Sequence, residues 1–140
     1  MPNDCIPYYE GAYVQKLTVH LAAAVEGCRC SAPLGPYQAG GSPGLSTGAE
    51  GGNLTSAGYA TAAAAIGGVF MYDGASGGKV GVLRGKGAVV PLKTGAAITQ
   101  GAEVEVGTNG RVVTFSAGIK IGRAMKTAAG ADVLIPVELY

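Results

Sequence analysis

Apolar and polar positions alternate over several short stretches of this chain. In residues 15–21, Leu17, Val19 and Leu21 alternate with Lys16, Thr18 and His20, a period of two that predicts a strand with one dry face and one wet face. His20 falls on the wet face with no nucleophile or carboxylate spaced to recruit it, so a surface position is expected. The same period returns at Glu103, Val104, Glu105 and Val106, where the two carboxylates share the polar face and are expected to be solvated. Gly107, Thr108, Asn109 and Gly110 follow. Asn-Gly signals a hairpin because both residues tolerate positive φ, and residues 111–115 supply the returning strand. Residues 79–111 organise the chain, with the other strands laid around this hairpin.

Shorter apolar runs predict strands at residues 28–32, 66–72, 80–84, 88–93, 102–106, 119–125 and 133–139. Pro91 lies inside one of them, which marks an edge strand or a break. Residues 59–65 are alanine-rich and fit either a short helix or a small-residue strand. Residues 33–58 are rich in glycine, serine and proline without period, and read as a long loop. Residues 1–11 hold two prolines and the pair Tyr8 and Tyr9. They predict either an extended arm or a terminus that packs its tyrosines on its own domain. Strands near ten residues apart with turn signals between them give an all-β fold, a small β-barrel or sandwich. The expected organisation is an N-terminal arm (1–13) and a single β domain (14–140) with a loop insertion at 33–58.

Composition fits this picture. Glycine is 25 of 140 residues and the hydrophobic class is 48 %. Charged residues are 14 %, against roughly 25 % in an average soluble domain. So little charge implies that part of the outside is covered by another protein, the alternative being a monomer with exposed alanine and glycine. A net charge of +1 with singly scattered Lys and Arg argues against nucleic-acid binding, which needs clustered cations. No apolar run approaches the ~20 residues that span a bilayer. Cys5, Cys28 and Cys30 follow no leader-like segment, so free thiols in a reducing cytoplasm are expected. Cys28-Arg29-Cys30 lacks the second half of a zinc site, and neither a metal nor a cofactor is expected.

Two motifs resemble chemistry and fall short. Gly81 to Gly87 (GVLRGKG) has three residues between its first two glycines where a P-loop has four, Gly87 in place of the Ser or Thr, and no following helix. Ala124-Met125-Lys126 resembles the lysine turn of biotinyl carrier domains over three residues, but Arg123 precedes it and Thr127 follows it. No set of acids, serines and histidine converges in the sequence, and an enzyme is not expected.

The larger pattern resembles the small capsid decoration (cement) proteins of tailed bacteriophages. It comprises the step Val90-Pro91-Leu92, the segment GAAITQGAEVEV ending at Val106, the strand Ile121-Gly122-Arg123-Ala124 and the closing AAGADVLI run from Ala128. The resemblance implies a β-tulip-like barrel or sandwich, usually assembled as a homotrimer. It implies binding to the major capsid protein on the outer surface of the expanded head, at threefold or quasi-threefold positions, by a protein made in the host cytoplasm. An extended arm could add a strand to a neighbouring sheet edge. On this reading Tyr8, Tyr9 and Tyr13 are the candidate contacts, with Arg84 and Lys86 as rim charges. The alternative is a non-enzymatic binding module: a barrel that binds carbohydrate or a cell surface through the long loop, or a carrier domain using Lys126.

Overall fold

The strand-forming stretches pair into two sheets in the computed structural model, which describes residues 15–34 and 54–140. The first sheet contains β1 (Gln15–Leu21), β2 (Cys30–Ser31), β3 (Leu54–Ser56), β4 (Gly68–Phe70) and β5 (Lys79–Arg84), in the order β2-β4-β5-β1-β3. The second contains β6 (Val89–Lys93), β7 (Glu103–Val106), β8 (Val112–Thr114), β9 (Gly122–Ala124) and β10 (Leu134–Leu139), in the order β6-β10-β9-β7-β8. All neighbours are antiparallel except β1 and β3, which are parallel. The only helical turn among the described residues is a 3-10 turn at Thr108–Gly110.

Period-two alternation decides where the cores lie. Val69 sits opposite Leu83, and both point with Cys30 into the space between the sheets. There they meet Val90, Leu92, Val104, Val106, Ile135 and Val137 of the second sheet, all fully or almost fully buried. Val80 and Val82 point the other way and form a second cluster with Val19, Leu21, Val25 and Phe70. Among the described residues the first sheet therefore buries apolar side chains on both faces, and the second presents a charged face to solvent. There, Glu103 of β7, Arg123 of β9 and Glu138 of β10 lie side by side.

The fold is all-β, a sandwich rather than a closed barrel. The second sheet curls until the Gly95 N–H, two residues beyond β6, donates to the Val112 carbonyl of β8 (2.7 Å), a single bridge. At the opposite margin the Lys93 N–H donates to the Cys28 carbonyl (2.9 Å), joining β6 to the segment that leads into the first sheet. Pro91 lies on this edge strand, opposite Pro136. Two prolines can stand opposite each other at a pair without mutual hydrogen bonds, where both nitrogens point away from the partner strand, so the β6–β10 ladder loses nothing.

The β7–β8 hairpin turns through residues 107–111, with Asn109 (φ 54) and Gly110 (φ 70) both left-handed as the Asn-Gly signal requires. A Cβ on Gly110 would lie 2.6 Å from the Cys30 carbonyl oxygen, so the hairpin tip of one sheet rests on a strand of the other.

Several expectations are corrected. His20 is 1 % exposed. Thr18, on the same face, is exposed, so alternation in β1 marks the solvent face over only part of the strand. Leu54–Ser56, inside the stretch read as loop, is a strand. Residues 59–65 are neither helix nor strand but a turn closed by Ala64 N–H to Thr61 O (3.1 Å). The strand expected at 28–32 shrinks to two residues because Cys28 is left-handed (φ 61). Glu105 is not solvated. It is 8 % exposed, and its Oε2 accepts the N–H groups of Gly118 (2.7 Å), Ser116 (3.2 Å) and Ala117 (3.3 Å).

Candidate functional site

Arg84 closes β5 and points to solvent, and the chain then turns sharply at Lys86 between Gly85 (φ 138) and Gly87 (φ 86). The turn is pinned to the end of β10 by the Gly87 N–H on the Leu139 carbonyl (2.8 Å). Facing it, residues 119–121 lead into β9. They are held by Ile119 N–H to Ala63 O (3.1 Å), Ile121 N–H to Val104 O (2.9 Å) and Tyr140 N–H to Ile121 O (3.1 Å). Between these walls, with residues 65–68 at one end, lies a cleft of about 350 Å³.

The cleft joins apolar surface to positive charge. Ile66, Ile119, Ile121, Leu139 and Tyr140 supply its apolar part, and Ile119 and Tyr140 are 49 % and 45 % exposed. Arg84, Lys86 and Lys120 supply three cations, and no Asp or Glu side chain lines it. Lys120 is held from outside the lining by an ion pair with Glu103 Oε1 (3.1 Å), and its Nζ stands 5.0 Å from the Phe115 ring centre. The Tyr140 hydroxyl donates to Glu103 Oε2 (3.1 Å). The Lys120 hydrogen bond, chief among several causes, holds the Glu103 carboxyl below its ordinary range.

A second polar cluster is structural. Glu26 pairs with Arg29 (2.5 Å) and more loosely with Lys93 (3.7 Å), and the buried Arg29 guanidinium lies 5.2 Å from the Tyr59 ring centre. The Tyr59 hydroxyl accepts the Glu26 N–H (2.8 Å) and Asp73 accepts the Gly27 N–H (2.9 Å), so the cluster fixes the loop before β2. Cys28 and Cys30 lie in the core, and burial pushes the Cys30 thiol up to about 12. No three of His, Cys, Asp and Glu converge among the described residues.

Of the candidate residues, Arg84 and Lys86 stand together on the cleft, whereas Tyr8, Tyr9 and Tyr13 lie outside the described residues. The glycine-rich run from Gly81 to Gly87 is simply the end of β5 and its turn, with no helix following. Lys126 is exposed in the turn after β9, away from the cleft. Sequence reasoning did not find Lys120, Ile119 and Tyr140. The apolar–charged–apolar step at residues 119–121 read as the start of a strand, but β9 begins only at Gly122, which leaves Ile119 outside the ladder and exposed.

Comparison with known proteins places this geometry. A search of the curated proteins gave no match. Among solved structures, the fold is similar to the head fiber gp8.5 N base of bacteriophage phi29, with a TM-score of 0.68 and 17 % identity over 91 % of this chain and 94 % of that one. The model of the phage cement protein family matches residues 66–139, more than half of the chain. That span runs from β4 through β10 and takes in the Lys86 turn and the facing 119–121 wall. The chain belongs to the phage cement protein family.

Proposed function

We propose that this protein is a non-enzymatic structural component of the virion that binds the outer surface of the expanded phage head and stabilises it. It seats at threefold or quasi-threefold positions as a homotrimer, with the major capsid protein as its partner. The observation that carries this reading is the family match across β4 to β10. Physically, a protein that binds only the expanded shell shifts the shell's equilibrium away from rupture by mass action, and many copies on one lattice multiply a modest individual affinity. The contacts we assign are Tyr8, Tyr9 and Tyr13 of the N-terminal segment, with Arg84 and Lys86 as cationic rim.

The test is co-sedimentation of the purified protein with expanded heads and with unexpanded procapsids of the phage that encodes it. Saturable binding to expanded heads alone, at a copy number matching the threefold sites, is the expected result. Absence of binding to either shell would overturn the proposal.

A further inference from the structure

Resting on that reading, we propose that the cleft between the Lys86 turn and residues 119–121 receives an acidic peptide segment of the shell. The segment is extended, with a carboxylate flanked by an apolar side chain. The whole chain carries ten basic and nine acidic residues, yet this lining gathers three cations and no carboxylate side chain. Six large apolar side chains are exposed among the described residues, and two of them, Ile119 and Tyr140, meet at this one cleft. Apolar surface ringed by charge is the anatomy of a contact that buries a few anchoring residues of a partner.

The cations are also positioned. Lys120 is held by Glu103 and Phe115, and Lys86 rides on a turn tied to Leu139. Lys86 has no ion pair with another described residue, so its charge is available to an incoming carboxylate. A bare phosphate would use the cations and leave Ile119 and Tyr140 in water, whereas a peptide with an apolar neighbour beside its carboxylate covers both. Three cations are too few for a nucleic-acid track.

The test compares binding of the wild type, Lys86→Glu, Ile119→Asp and Lys126→Glu to isolated expanded heads, at about 0.1 M and 1 M salt, where the screening length falls from roughly 10 to 3 Å. Lys126 sits at the other end of β9, so Lys126→Glu makes the same charge change away from the cleft. The inference expects Lys86→Glu to weaken half-saturation about tenfold at low salt and to flatten its salt dependence. Ile119→Asp should weaken it by about tenfold or more at both salts, and Lys126→Glu should match the wild type. Wild-type binding with Lys86→Glu and Lys126→Glu indistinguishable would overturn the cleft assignment and leave the head-binding reading intact. No binding by the wild type would overturn both. Loss of self-association by Ile119→Asp, with head binding of the separated copies unchanged, would assign the cleft to a second copy and also overturn it.

Discussion

Gly110 offers a quantitative test of how the two sheets are joined. It is left-handed (φ 70), and a Cβ there would lie 2.6 Å from the Cys30 carbonyl oxygen and 3.1 Å from both the Cys30 nitrogen and Tyr59 Cδ1. Gly110→Ala therefore carries two costs. The left-handed conformation costs an L-residue about 1–2 kcal/mol. Forcing Cβ against backbone that cannot swing aside adds about 1–3 kcal/mol, the range of core overpacking. Gly101 is the natural reference, because it is also left-handed (φ 87) but has no heavy atom within 4 Å of the added Cβ. Gly101→Ala should show the conformational cost alone, and the difference between the variants isolates the contact of the hairpin tip with β2. Urea unfolding followed by circular dichroism gives both values. With a slope of about 2 kcal/mol per molar, an excess of about 2 kcal/mol moves the midpoint of Gly110→Ala roughly 1 M below that of Gly101→Ala. Coincident midpoints would show that the tip does not rest on β2 and would refute the packing described here.

Glu105→Gln keeps the acceptor oxygen and removes its charge, so it should be less stable than the wild type at neutral pH. The N–H groups of Gly118, Ser116 and Ala117 hold the folded carboxyl below its ordinary value. The unfolded chain then binds the proton first, so the wild-type advantage is full above about pH 4.3 and is lost as pH falls through the folded value. Urea midpoints of both proteins at neutral and acid pH check this, and an advantage that grows on acidification would contradict it. Cys30, with its thiol pushed up to about 12 by burial, should stay unlabelled by a thiolate-directed reagent at about pH 8 in the folded protein and react once unfolded. Peptide mass mapping decides, and rapid labelling of the native protein would show that the core opens there. Deleting residues 1–11 should leave the circular dichroism spectrum unchanged and weaken co-sedimentation with expanded heads, and undiminished binding would remove this segment from the contact.

The sequence made strand positions legible wherever apolar residues kept a period of two, because that period is set within a strand and needs no information from elsewhere. β1 matches its expected bounds, and β5, β6, β7 and β10 fall within about a residue of theirs. What alternation cannot report is which other part of the chain comes to cover a face. Glu105 sits where a solvated carboxylate belongs, and only the arrival of residues 116–118 turns it into a buried anchor. His20, buried on the face where Thr18 is exposed, is likewise beyond what alternation reports. The cleft divides along this line too. Arg84 and Lys86 are close in sequence and stand among the candidate rim charges, whereas Lys120, Ile119 and Tyr140 reach the cleft only through the pairing of β9 with β10 and the anchoring of residue 119 to Ala63.

The margins of the second sheet bear on how this domain behaves when crowded. An open sheet edge with unpaired N–H groups is a template on which any extended chain can zip, and it is a common origin of aggregation. Along β6, Pro91 has no N–H to offer and the Lys93 N–H is taken by Cys28. At the far side the Val112 carbonyl of β8 is engaged by Gly95. A strand from another molecule therefore finds few rungs on this sheet. For copies packed closely together, this sheet offers side chains as its contact surface in place of an open ladder.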